Sequence, residues 1–429
     1  MYAPTETTPH HATRPAPHRY VAIFLLGLLH AVTREKKKVA CHLIVLAGSL
    51  VGGLGNDVIF SYIPMVDNFW HAQGVLMITP RFPAYIGAFY VGWLYFSTIT
   101  VWRLTSVVFR RESTVGNAAL TGLLSAAYYA PWDVVGAKHL WWSWHTTDLM
   151  LRHRWLGVPV ASTMFTLVFG FTWSLCLHAA LFKNAHPTTT AAAATAADRV
   201  QDPSAHATWG DAVRTIAAIG CGSVPLMMVT MTVLQSVLGA TLPPAPPPTT
   251  TTLAGTVAVL AAAAVVCTCR APFKGRSSRG GGDSGGGGDG VLVLSVALLH
   301  FGFLMATIYT IDPASAVSTG VHQTLGTTAA ECAEGELDLQ GWKRAKYLCP
   351  THMSGESASL FQLCDAAVTP SAPMEEGRTW STFCGRANDP GWLSATTGLI
   401  AASLSLHLVA LVYKGPGGPS RERATKKAS

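Results

Sequence analysis

The stretch VLVLSVALLHFGFLMATIYT, residues 291–310, runs for twenty residues without one Asp, Glu, Lys or Arg. At about 1.5 Å of rise per residue, a helix of that length spans about 30 Å, the thickness of a bilayer's hydrocarbon core. Seven further stretches approach the same rule: residues 39–60, 84–102, 115–130, 160–182, 212–238, 252–269 and 395–413. The expected fold class is therefore all-α, a polytopic helical membrane bundle with about eight transmembrane helices. Composition agrees. Of the 429 residues 49% are hydrophobic and 12% charged, half the charge of an ordinary soluble domain (about 25%), which excludes a soluble enzyme and a disordered chain. A shorter apolar run, residues 21–32, fits either a surface-lying helix or a short additional span. Without a basic region before it or a small-residue cleavage site after it, it does not read as a signal peptide.

Basic residues orient the spans. Arg34, Lys36, Lys37 and Lys38 precede the first, and Arg103, Arg110 and Arg111 follow the second. Lys183 and Arg199 follow the fourth, Arg214 stands at the start of the fifth, Arg270, Lys274, Arg276 and Arg279 follow the sixth, and Lys414, Arg421, Arg423, Lys426 and Lys427 end the chain. With Arg14 and Arg19 they belong to one side, which the positive-inside rule makes cytoplasmic, with both termini there. The net charge of +7 then faces anionic lipid and requires no nucleic-acid partner. The expected division is a cytoplasmic N-terminal segment with a possible interfacial helix (1–38), a four-span domain (39–182), a low-complexity linker (183–211), a three-span region (212–310), an outer cysteine-containing loop (311–394), a last span (395–413) and a basic tail (414–429). Within these, PPAPPPTTTT (243–252) reads as a stiff connector and GRSSRGGGDSGGGGDG (275–290) as a flexible coil.

Five of the nine cysteines, Cys41, Cys176, Cys221, Cys267 and Cys269, fall in or beside spans, where a thiol acts as a small apolar group. Cys332, Cys349, Cys364 and Cys384 all fall in the acidic loop 311–394, on the side where disulfides persist. They are disulfide candidates with three possible pairings. Zinc is the rival use, but no Cys-x-x-Cys spacing supports a metal site there.

Polar and aromatic residues gather in two outer loops. DNFWHAQGVLMITPRFPAY offers Asp67, Asn68, Trp70, His71, Gln73 and Arg81; APWDVVGAKHLWWSWHTTDLMLRHRWLGVP offers Asp133, His139, His145, Asp148, Arg152 and His153. On a helix His145 and Asp148 would share a face, one turn from Trp141, and such a pair can pass a proton or hold a metal. The candidate catalytic residues are Asp133, His145, Asp148 and His71; no metal or cofactor is assigned. The plainer account makes the five tryptophans from Trp132 to Trp155 an interfacial belt and the histidines solvated. Asn56 and Asp57, after Gly52, Gly53 and Gly55, fit either function or simple reach to water. His300 and His407, mid-span, fit interhelical hydrogen bonds.

DNFWHAQG with RFPAY, then PWD, WWSWH and LGVP, resembles an uncharacterised eukaryotic multi-pass membrane family known as a domain of unknown function, over residues 40–181. A more distant likeness is to membrane carotenoid hydratases and related carotenoid-biosynthesis proteins, whose motifs look like Trp132-Asp133, Trp142/Trp144 and Gly157-Val158-Pro159 here. That resemblance implies water addition to, or rearrangement of, an isoprenoid, with Asp133 as proton donor and tryptophans lining the polyene.

Three functions fit. One is an enzyme acting on a lipid or isoprenoid at the outer interface of an endomembrane or the plasma membrane. Another is a non-catalytic scaffold or receptor using loop 311–394. The third, a transporter, wants ionisable groups deep in several spans, and Asp57 alone approaches that. One pocket enclosed by both tryptophan-rich loops and the cysteine loop would favour the enzyme.

Overall fold

Long apolar runs in this chain fold as helices that pack side by side, and the polar loops between them gather at one end. The computed structural model describes residues 17–34, 36–105, 113–181, 208–240, 247–271, 285–352, 360–364 and 379–412. Among these are nine long helices: α1 Pro17–Val32, α2 Lys36–Tyr62, α3 Ala84–Trp102, α4 Thr114–Lys138, α5 Val160–Leu181, α6 Trp209–Leu238, α7 Thr250–Arg270, α8 Gly285–Thr310 and α9 Pro390–Val412. Seven of them, α2, α3 and α5 to α9, are long and apolar enough to cross a membrane. The helix α4 is long enough, at 25 residues, but Asn117, Thr121, Ser125 and Asp133 dilute its apolar character. All four are buried, because α4 packs against α5, α7 and α9. By contrast Val213, Val229, Val233 and Val237 of α6 are exposed, as side chains facing lipid are.

Of the expected linker 183–211, residues 183–207 lie outside the described residues, while Trp209–Asp211 already belong to α6, capped by Thr208. Of the two other low-complexity stretches, the threonine end of 243–252 starts α7, with Thr249 as its N-cap. The glycines from Gly285 onward belong to α8 rather than to coil.

The run 21–32 is neither separate nor superficial. It forms α1, which lies along α3 in the same direction: Tyr20 meets Phe89 edge-on at 5.3 Å, and His30 Nδ1 lies 2.8 Å from the Tyr95 hydroxyl. Pro17 therefore sits at the end of the bundle where α3 begins. The last helix, α9, starts at that same end, where Trp392 Nε1 donates to Leu156 O, and runs away from it to stack His407 on Phe96. Pro17 and Val412 thus lie at opposite ends of the bundle, while the termini, expected on one side, lie outside the described residues. The helix α1 extends to 16 residues by including Pro17–Tyr20, still shorter than the seven long apolar helices.

At the end where α3 begins, the loops build a cap. Strand β1 (Phe69–His71) pairs antiparallel with β2 (Trp142–Trp144), placing Trp70 opposite Ser143. In the cysteine-containing segment β3 (Val317–His322), β4 (Phe361–Leu363) and β5 (Thr379–Gly385) form a sheet in the order β4-β5-β3. The Gln73 amide donates to Thr319 O, so this sheet continues onto the β1 segment. Disulfides join Cys332 to Cys349 and Cys364 to Cys384. WWSWH is therefore a strand and not a helix, and His145 and Asp148 do not share a helical face. The motif LGVP is a tight turn: Leu156 and Gly157 both have positive φ, 50° and 84°, joining Arg154–Trp155 to Val158–Pro159.

The tryptophans do not form a belt. Trp132, Trp141, Trp142 and Trp144 are buried. Trp132 stacks on Phe89 at 3.7 Å and lies against Trp142 at 4.3 Å. His300 bridges helices as expected, through Tyr128 O at 3.1 Å, whereas His407 bonds Ser403 O within its own helix.

Candidate functional site

A cavity of about 130 Å³ opens between α2, α5 and α6 beneath the cap. On the same scale one water needs roughly 10–15 Å³, so the space admits several waters or part of a lipid. All three polar segments of the cap contribute to its wall: Asn68 and Phe69, Trp144 and Asp148, and Asp338, Leu339 and Gln340. Below them the wall is apolar and rich in methionine, with Phe60, Phe165, Met228 and Met231, side chains that adjust to irregular ligands. Met65, Thr232 and Leu339 are wall residues that are also exposed, so the mouth lies on the flank of the bundle beside the exposed valines of α6.

The blind end is polar. Tyr90 donates its phenolic proton to Asp57 Oδ1 at 3.0 Å, and Asn56 Nδ2 donates to the same hydroxyl at 3.1 Å. Gly53, one turn before Asp57, makes this possible: a Cβ there would overlap the Tyr90 ring. His71 Nε2 stands 3.8 Å from Asp57 Oδ2, beyond hydrogen-bond reach. Asp57 Oδ2, Asn56 Oδ1 and both ring nitrogens of His71 are buried with no hydrogen-bond partner among the described residues. Such groups are costly to keep unless something else engages them.

The sequence-derived candidates are distributed around this cavity unequally. Asp148 lies on the wall, held by Arg344 Nη1 at 3.1 Å, Asn68 Nδ2 at 3.3 Å and the Met150 amide at 2.9 Å. His71 stands behind Asp57. Asp133 is one hydrogen bond from the cavity: the wall residue Ser162 donates to its Oδ2 at 2.6 Å, while Trp142 Nε1 donates to Oδ1 at 3.0 Å. Gly136, whose Cβ would overlap the Trp142 ring, lets that indole sit so close. His145 turns toward the cysteine-containing segment, 2.7 Å from Gln323 Nε2, with its Nδ1 accepting from the Thr147 amide. Burial, and then the nearby Arg344, hold the His145 pKa well below the ordinary histidine value. Burial likewise pushes His139 down to about 4. Arg81 serves the cap, pairing with Asp67 at 2.6 Å and donating to Ser61 O. Among the described residues no three His, Cys, Asp or Glu side chains converge as a metal site.

Tyr90, Ser162, Gln235 and Asp338 line the cavity without having been singled out from the sequence. A tyrosine in an apolar span reads as core, and a serine at a helix start reads as a cap. The available signal was GGLGND itself, since small residues next to a polar pair mark a close approach.

A family model described as a domain of unknown function, DUF7802, matches residues 10–186. No curated protein and no solved structure matches the chain. A domain of unknown function, DUF7802, thus covers the stretch that carries α1 to α5, both strands of the tryptophan ribbon, and Asp57, His71, Tyr90, Asp133 and Ser162.

Proposed function

We propose that this is a multi-pass integral membrane protein that takes a lipid or isoprenoid into the flank cavity and acts on its polar end by acid–base chemistry at Asp57 and His71. The observation that carries this is the Asp57 carboxylate, whose Oδ2 is buried and not hydrogen-bonded at the blind end of a cavity with an apolar mouth, with the His71 imidazole 3.8 Å behind it. A carboxylate facing the cavity, with an imidazole behind it to take up or return its proton, can serve a reacting hydroxyl, carbonyl or alkene, and general acid–base catalysis contributes about 10²–10⁴-fold. Tyr90 and Asn56 fix the carboxylate. Asp133 orients Ser162 and Trp142; with both its oxygens engaged, it positions the wall rather than donating a proton as the hydratase likeness implied.

In this account all nine described helices cross or enter the bilayer, and the capped end faces the lumen or extracellular space. The two disulfides support that side, as do Arg34, Arg103, Arg214 and Arg270 at the opposite end. The lipid bilayer is the partner that the exposed valines of α6 imply. The scaffold alternative gains less support, because the cysteine-containing segment spends Arg344, Gln323 and Leu339 on contacts with its own bundle. Lipid extraction and mass spectrometry of cells with and without the protein tests the proposal. An accumulated precursor in its absence is expected, and identical lipid profiles would contradict catalysis.

A further inference from the structure

The chemistry of the cavity's unengaged atoms narrows the class of ligand. Tyr90 has one hydroxyl proton, committed to Asp57 Oδ1, so the Asn56 amide must present its NH₂ group to the Tyr90 oxygen. That fixes the amide orientation and leaves Asn56 Oδ1 as a buried acceptor with no donor among the described residues. Asp57 Oδ2 is a second such acceptor. Asp338 supplies a third: its Oδ1 receives the Gln340 and Trp342 amides at 2.9 and 2.8 Å, while its buried Oδ2 receives nothing among the described residues. Beside these three acceptors the fully buried wall atoms leave Gln235 Nε2 as an unengaged donor.

Charge points the same way. Asp57, Asp148 and Asp338 are all buried wall residues, and no Lys or Arg is on the wall. Of the three, only Asp148 has an Arg partner, Arg344 at 3.1 Å, which also pairs with Glu336. A carboxylate or phosphate head would add negative charge where two carboxylates already lack a Lys or Arg partner among the described residues. A protonated amine has three donors and no acceptor, the complement of what the wall leaves open.

Resting on the cavity assignment above, we infer that the site is selective for a long-chain amphiphile bearing a protonated amine, with the ammonium between Asn56 Oδ1 and Asp57 Oδ2 and the chain leaving past Met65 and Thr232. Gln235 can then serve a neighbouring hydroxyl oxygen. The test uses the full chain purified in a neutral maltoside detergent, with hexadecylamine, hexadecan-1-ol and hexadecanoic acid titrated separately and binding read from thermal unfolding and tryptophan fluorescence. Hexadecylamine should bind at least tenfold tighter than the alcohol, and the acid weakest. Asp57→Asn should cost the amine tenfold or more while leaving the alcohol within about twofold, which also shows that the variant is folded; Asp338→Asn should give a smaller loss of the same sign. An acid that binds as tightly as the amine, or an amine affinity indifferent to Asp57→Asn, overturns the amine selectivity. Met231→Trp, which fills the cavity, separates this from the cavity assignment: it should remove binding of all probes, and where it does so although the amine selectivity has failed, the cavity stands and only the head-group class falls. If probes bind unaffected by Met231→Trp, or none binds, both fail.

Discussion

Arg344, in the cysteine-containing segment, donates to Asp148, in the tryptophan-rich loop, across 3.1 Å, and both side chains are buried. The same guanidinium donates to Val66 O and Pro64 O, so one side chain ties together three segments distant in sequence. The cap depends on this junction. Removing one member of a buried pair strands the other, at a cost of roughly 3–5 kcal/mol. Arg344→Met should lower the unfolding temperature sharply in detergent, and Arg344→Met with Asp148→Asn should recover part of the loss. Additive losses in the double variant would show that the pair is not coupled.

A second constraint on the cap is covalent. The bridge Cys332–Cys349 closes a loop of 17 residues, for which the chain-entropy account gives about 3 kcal/mol. Cys332→Ser with Cys349→Ser should destabilise the cap by about that amount, measured as protease sensitivity of residues 311–394 before that of the helices. Simultaneous digestion of cap and bundle would contradict a separately tethered cap.

Acid should loosen the same region. His145 and His139 are held neutral, their folded pKa values below the unfolded value of about 6.5. The sign follows: their contribution to stability is complete above about pH 6.5 and falls as the pH drops, by up to about 1.4 kcal/mol per pH unit for each histidine. Protonating His145 would also forfeit the Thr147 amide donated to its Nδ1. Unfolding temperatures at pH 7.5 and 5.5 should therefore differ less in His145→Asn than in the parent. Equal differences would remove His145 from the cap's acid response.

The bundle was legible because lipid imposes a length and an absence of charge on each span, and runs such as residues 291–310 satisfy both. The exceptions have particular causes. Buried among other helices, α4 needs no apolar outer face, and α1, at 16 residues, is held by packing along α3. For the site, the sequence brought forward the right loops and could not see their pairing. Trp70 opposite Ser143 is a register fact, helped by Gly136 making room for Trp142 and by Gly320, where a Cβ would press to 2.7 Å from His71 O, letting β3 lie close. With that pairing absent, Asp133 and His145 looked equivalent to Asp148 and His71. Burial and hydrogen bonds distinguish them, and neither is written in composition.

Replacements at the two aspartates should separate chemistry from positioning. Asp57→Asn keeps the Tyr90 contact and removes the carboxylate charge, so conversion of the lipid substrate should fall at least 100-fold with little loss of stability. Asp133→Asn keeps an acceptor for Trp142 Nε1 and shifts only Ser162, so a loss of about tenfold is expected. A larger loss in Asp133→Asn than in Asp57→Asn would exchange their roles.

Complementation tests the central claim most directly. Cells lacking the protein are supplied with the parent chain, Asp57→Asn or His145→Asn, each at equal membrane abundance, and their lipids are compared by mass spectrometry. The parent and His145→Asn should restore the profile, and Asp57→Asn should leave the precursor accumulated. Restoration by Asp57→Asn, with failure of His145→Asn, would place the chemistry on the cysteine-loop side of the cap and contradict the cavity as its seat.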